Sequence, residues 1–125
     1  MKSLNSFLNP KRKKEIRFKL PAFEDEFVMR PLTLKEDLKL AEEYGDKSNT
    51  EMMIAYVANS LVTPDLRDNN FLEALSEREG RKILDPVDAL KCIVNGAETA
   101  SLIKVYNDFN EVTVKFSDKV DEAKN

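Results

Sequence analysis

The chain contains no histidine and no tryptophan, and it has one cysteine, three glycines and five prolines among its 125 residues. Without histidine it lacks the side chain that most readily moves protons near neutral pH. Serine–histidine and cysteine–histidine catalysis go with it, as do the usual zinc and iron ligand sets. The lone Cys92 excludes an internal disulfide and leaves no thiol pair for zinc. With no histidine to act as its base, it reads as a small side chain in or near the core. Three scattered glycines cannot build a phosphate-cradling loop. No apolar run reaches the length of a membrane span, and residues 1–8 lack the apolar core of a signal peptide, so the expected compartment is cytoplasmic. The net charge of −3 and a pI near 5.1 give no global case for nucleic-acid binding.

Carboxylates remain as candidate acids and bases. Glu24-Asp25-Glu26 and Glu42-Glu43, however, are sequence neighbours in polar segments, without the burial that would drive their pKa values apart. Residues 65–70 look superficially calcium-like but lack the alternating oxygens, the glycine and the closing glutamate of an EF-hand loop. These absences imply no enzyme, no metal and no cofactor.

What the chain does contain is helix signal. Residues 52–62 carry no charge in a protein rich in charged side chains. Read as a helix from about Glu51, they place Met53, Tyr56, Val57 and Leu61 on one face and Ile54, Ala58 and Val62 on the adjoining flank. That arc is wider than one surface stripe, so both sides are expected to be packed. Pro64 is expected to stop the helix. The fold class that follows is mainly α: four to five short helices around this central apolar helix, with an N-terminal β-ribbon.

The ribbon is read from alternation. Ile16, Phe18 and Leu20 alternate with Arg17 and Lys19, and Phe27 and Met29 alternate with Val28 and Arg30, which predicts two strands with a spare edge. Thr33 and Glu36 have capping-box spacing, Leu34, Leu38 and Ala41 form the expected buried face with Leu40 and Tyr44 beside them, and Gly45 is expected to close the helix in a left-handed conformation. Asn49 or Thr50 then caps the central helix. After a turn at residues 64–68, Asp68, Asn69 or Asn70 caps a short helix bearing Phe71, Leu72 and Leu75. Ser76 and Glu79 repeat the capping-box spacing, ahead of a turn or a single helical turn through Ile83 and Leu84.

Asp85-Pro86-Val87-Asp88 is the strongest local start signal, with a cap, a tolerated proline and a negative charge in the first turn. Val87, Leu90 and Val94 are its expected buried face. Asn95-Gly96 ends that helix at a helix–helix corner. A last helix from about Ala97 turns Leu102, Val105, Tyr106 and Phe109 inward. Beyond it, Val112, Val114 and Phe116 alternate like a strand while Val112, Phe116 and Val120 keep helical spacing; the β-branched residues tip the balance toward an extended segment. The domain reading is a flexible basic arm at residues 1–14, one compact helical domain at 15–111 and a polar tail at 112–125.

Candidate partner-binding residues are Leu4, Phe7 and Leu8 on the arm, Met52, Met53 and Tyr56 on the central helix, and Phe109 and Phe116 near the C-terminal end. Methionine and aromatic groups adapt to varied apolar partners. Lys11, Arg12, Lys13, Lys14 and Arg17 support an alternative, a nucleic-acid-binding regulator. It is weaker, because no aromatics interleave with the basic run and the rest of the chain is acidic. Self-association is also plausible, given the strand edge and the wide apolar arc.

The order Phe27-Val28-Met29-Arg30-Pro31-Leu32-Thr33-Leu34-Lys35-Glu36, then Val62-Thr63-Pro64-Asp65-Leu66-Arg67-Asp68, then Gly96-Ala97-Glu98 and a helix through Leu102–Asn110, resembles the small tail assembly chaperones of long-tailed bacteriophages and prophages of Gram-positive bacteria. The resemblance spans residues 18–110. The chain departs from the family pattern at Asn95, where relatives carry proline, and around Gly80. The resemblance implies a non-enzymatic protein in the host cytoplasm. Its partners would be the tape-measure protein and the tail tube protein, and no nucleic acid, membrane or cofactor would be involved. A structural virion subunit is the neighbouring alternative.

Overall fold

The computed structural model describes residues 2–117. Along them run α1 (Lys2–Leu8), β1 (Ile16–Phe18), β2 (Phe27–Met29), α2 (Leu34–Tyr44), α3 (Asn49–Ser60), β3 (Leu61–Thr63), α4 (Asn69–Glu79), α5 (Pro86–Ile93) and α6 (Gly96–Phe109). The fold is mainly α-helical with a small three-stranded antiparallel sheet. At the centre is α3. Ala55, Val57, Ala58 and Ser60 are buried on it, the remaining residues from Glu51 onward are half-buried, and α2, α5 and α6 all pack against it. Both sides of the uncharged stretch are thus covered, as the wide apolar arc predicts.

Both ends of α3 differ from expectation. Its cap is Ser48 rather than Asn49 or Thr50, and the Ser48 hydroxyl accepts a hydrogen bond from the Glu51 amide at 3.1 Å. At the other end the helix stops at Ser60, because Leu61 is already extended. Leu61–Thr63 then forms β3 and pairs antiparallel with β2. Val62 and Thr63 are β-branched and Thr63 precedes proline, so extended backbone suits them better than another helical turn. The strand order β1-β2-β3 makes β2 central, so β3 covers one edge of the expected ribbon while β1 keeps its outer edge unpaired among the described residues. It also explains why Phe27, Val28 and Met29 are all buried where alternation predicted one wet face.

The junction from sheet to α2 agrees with the face of α2 that its packing on α3 turns inward. Thr33 and Glu36 form the predicted capping box. The Glu36 carboxylate is held again by Arg30, just after β2, through two hydrogen bonds of 3.0 and 2.7 Å. Leu40 and Tyr44 follow Glu36 at four-residue steps and share its side of the helix. Leu40 is buried and Tyr44 half-buried, while Leu34 and Leu38, the expected buried pair, are 71% and 61% exposed. Gly45 is also not left-handed: its φ of −63° is helical, and a Cβ there would lie 2.5 Å from the Ala41 carbonyl oxygen. Close approach, not handedness, suits glycine to the position.

The Arg30 guanidinium, with the Thr33 amide adding, lowers the Glu36 carboxyl to about 2. A depressed carboxylate stabilises the folded state above its unfolded pKa and loses that contribution as pH falls toward the folded value. Native protein is therefore expected to lose stability below about pH 4.5, and Glu36→Gln to flatten that part of the profile. The pair is over a third exposed, so solvent screening holds the effect to about 1 kcal/mol. Chemical denaturation from about pH 6 down to about pH 2, spanning the unfolded and folded values, would measure it.

In the second half, Asp68 caps α4, and the helix runs straight through Ser76 to Glu79. Ser76 is no cap. Its hydroxyl donates to the Leu72 carbonyl at 2.7 Å and accepts from the Ile83 amide at 2.9 Å. Gly80, at φ +69°, supplies the left-handed turn, so residues 81–85 leave without a further helical turn and Ile83 is buried. Ser76→Ala would strand the Ile83 amide; a loss of about 1–2 kcal/mol is expected, read as a lower thermal midpoint.

Asp85 and Pro86 open α5 as predicted, with Val87, Ala89 and Leu90 buried. Val94 is not on its buried face. It is the extended residue after α5 and only half-buried. Asn95 then makes a capping box with Glu98, so Asn95-Gly96 opens α6 instead of ending α5. The corner between helices stands. Leu102 is fully buried on α6, with Val105, Tyr106 and Phe109 half-buried behind it. Residues 111–117 form neither strand nor helix. The rest of the tail reading, residues 118–125 with Val120, lies outside the described residues.

Candidate partner-binding surfaces

The sequence candidates divide between two settings. Met52, Met53 and Tyr56 are half-buried on α3, and Phe109 is half-buried on α6 against the core. The Tyr56 hydroxyl donates to the Met52 sulfur at 3.5 Å. Its ring stacks on Tyr106 with centroids 6.2 Å apart and planes within 8°. Tyr56 and Phe109 pack against the core, and the Tyr56–Tyr106 stack joins α3 to α6. Burial pushes the Tyr106 phenol up to about 12, and the charge on Asp37 adds to the rise. A raised phenol stabilises the fold below its unfolded pKa near 10 and loses that contribution as pH climbs toward 12. Spectroscopic titration should therefore show Tyr106 ionising late, with unfolding beginning as it does.

Leu4, Phe7 and Leu8 occupy one face of α1 and stand open, Phe7 at 81% exposure. Phe116 is exposed as well, as are Val112 and Val114 beside it. Leu34 and Leu38, which the sequence pattern assigns to the core, join this open set. Between α1 and β1, Lys11, Arg12, Lys13 and Lys14 are exposed, and none is ion-paired among the described residues. Arg17 is paired with Glu15 at 3.1 Å on β1. Arg12 lies at a hollow lined by Pro31, Leu32, Thr33 and Leu34, where the chain enters α2.

A second site is not readable from local sequence. Phe23 meets Phe27 edge-on, with centroids 5.1 Å apart, and Phe27 stacks on Phe18 at 5.6 Å. Phe71 of α4 and Ile93 of α5 close the other wall of an apolar pocket of about 240 Å³. Glu24, Asp25 and Glu26 stand on its rim, exposed and without ion pairs among the described residues. The sequence shows the acidic triplet bracketed by phenylalanines. It does not show that residues nearly fifty and seventy positions later complete the wall; only the third strand and the α4–α5 turn bring them there.

The remaining polar features tie elements together. Arg81 grips Asp88 with two hydrogen bonds of 2.7 and 2.8 Å, and Arg78 donates to the Cys92 carbonyl. Burial pushes the Cys92 thiol up, which disfavours the nucleophilic thiolate. Lys91 bridges α5 to Glu51 of α3 at 2.8 Å. A cleft of about 250 Å³ between α2, α3 and α5 is lined by Glu36, Lys39, Glu43, Asn59, Arg67 and Asp85. Arg67 there donates to the Asn59 side chain. Among the described residues no three histidine, cysteine, aspartate or glutamate side chains could together hold a metal ion, and no helix is long and apolar enough to cross a membrane.

No family model matches the chain, and no curated protein matches it. The crystal structure of the protein YqbN, a structural-genomics target, is similar to it with a TM-score of 0.61. The two are 18% identical, and the match covers 86% of this chain and 96% of that one. At that identity the likeness is one of fold.

Proposed function

We propose that this protein is a non-enzymatic tail assembly chaperone of a long-tailed phage or prophage, working in the cytoplasm of the bacterial host. It holds apolar helical segments of the tape-measure protein and helps tail tube subunits gather around them. The observation that carries this reading is the open leucine pair of α2. Leu34 and Leu38 lie one helical turn apart on the side away from the core, where an amphipathic partner helix can pack on them. The sequence resemblance over residues 18–110 supports the same reading and supplies the partners' names. The tape-measure protein is long and helical, and its apolar faces need cover until tube subunits arrive.

Co-expression with fragments of the neighbouring tape-measure protein tests this. A complex surviving affinity purification and gel filtration, together with absence of the chaperone from mature particles by mass spectrometry, is the expected result. Failure of every fragment to bind overturns it. A stoichiometric amount in finished particles overturns it in favour of a structural subunit, and steeply salt-dependent retention on duplex DNA in favour of a nucleic-acid-binding regulator.

A further inference from the structure

The acidic-rimmed aromatic pocket and the N-terminal arm are complementary in both of their parts. The pocket offers Phe23, Phe27, Phe71 and Ile93 beneath an unpaired triplet of Glu24, Asp25 and Glu26. The arm offers Leu4, Phe7 and Leu8 on one face of α1, followed within a few residues by the unpaired run Lys11-Arg12-Lys13-Lys14. An apolar group next to a charge cluster stands opposite a hollow next to a cluster of the other sign. A ring the size of Phe7 fits a cavity of about 240 Å³.

The arm does not reach the pocket of its own chain by the path it takes. Ile16 pairs with Met29 and Phe18 with Phe27, so residues before Ile16 join the sheet at its Met29 end. Arg12 lies against Pro31–Leu34 at that same end, while the pocket opens beside Phe27 at the other. The occupant that matches in chemistry therefore comes from outside the chain.

We propose that the pocket between the Glu24–Glu26 loop, α4 and α5 receives the N-terminal arm of a second copy of this chain, with Phe7 inserted and Lys11–Lys14 lying along the acidic rim. Each copy has one arm to donate and one pocket to fill. Two copies that exchange arms close a two-fold dimer, and arms passed one way build rings or open chains. This proposal does not depend on the chaperone reading, because its test involves no other protein.

Sedimentation velocity on the full-length chain should show a dimer or larger species growing with concentration and shrinking as salt rises, since the arm-to-rim pairs are exposed and screened. Phe7→Ser should weaken association on the order of tenfold to a hundredfold, the burial of one aromatic ring. At dilutions where the native chain is monomeric its melting temperature should match the native value, because Phe7 touches no core in the single chain. The triple variant Glu24→Lys, Asp25→Lys, Glu26→Lys should be monomeric for the complementary reason. Mixing the two variants decides the matter: one retains a working pocket and the other a working arm, so together they should form a one-to-one dimer and nothing larger. A native chain that stays monomeric overturns the proposal, as does association that both variants preserve. So does a mixture that remains two monomers, or a Phe7→Ser variant that is monomeric like the native chain but melts lower, which would place the arm in its own pocket.

Discussion

Leu102→Ala is expected to destabilise the protein by about 3 kcal/mol, near the middle of the range for a fully buried leucine cut back to alanine. Leu102 is 0% exposed and is the buried anchor of α6. The rest of that helix meets the core with half-buried groups, so no second fully buried side chain on α6 compensates for the cavity. The position matters because α6 packs on α3, and α3 in turn receives α2 and α5. Loosening α6 also frees Tyr106 from its stack on Tyr56, which removes the burial that delays its ionisation. Two readouts should therefore move together: a lower urea midpoint and a tyrosine titration shifted back toward pH 10. If Tyr106 still ionises late while stability falls, the stack is held by α3 alone, and this account of α6 is wrong.

The elements whose boundaries depend on local chemistry were legible from the chain. The Thr33–Glu36 capping box, the Asp85-Pro86 start of α5 and the corner at Asn95-Gly96 each rest on hydrogen bonds made within four residues, and each appears as read, save that Asn95 serves the helix after it. What escaped reading depends on partners far away in sequence. The end of α3 depends on β2 as well as on local chemistry: two β-branched residues before a proline favour extended backbone, and Val28 and Met29 present the edge that makes Leu61–Thr63 a strand. The rotation of α2 is set by its packing on α3, which takes Leu40 inward and leaves Leu38 outward, with the Arg30–Glu36 pair at the helix start agreeing with that orientation. Helical spacing alone treats both leucines as core, because periodicity identifies an apolar face but not the direction it points. Ser76 misled for a related reason. Its spacing to Glu79 is that of a cap, yet its hydroxyl serves Ile83, seven residues on. The candidate surfaces follow the same rule: Phe7 and the basic run were readable as an exposed arm, while Phe71 and Ile93 acquire meaning only once folding places them beside Phe23.

Leu34→Gln combined with Leu38→Gln is expected to separate binding from folding more cleanly than any core change. Both side chains are mostly in water, and glutamine favours helix nearly as well as leucine, so stability should change by less than about 0.5 kcal/mol. The capping box and the Arg30 clamp involve Thr33, Glu36 and Arg30, none of which is altered. Binding is a different matter. Two leucines one turn apart can each bury most of their side chain under a partner helix, worth roughly 1.5–3 kcal/mol apiece before the costs of association are taken off. On the chaperone reading proposed above, a loss of about a hundredfold in affinity for the tape-measure segment is therefore expected from the pair, measured by calorimetry against the native chain. Met52 and Tyr56, although they look from sequence like the better binding groups, are tied to each other and to Tyr106 inside the helix pack. Substituting them should lower stability first and affinity only as a consequence. An affinity that survives the double glutamine variant but falls with a conservative Met53→Leu change would move the binding face from α2 to α3.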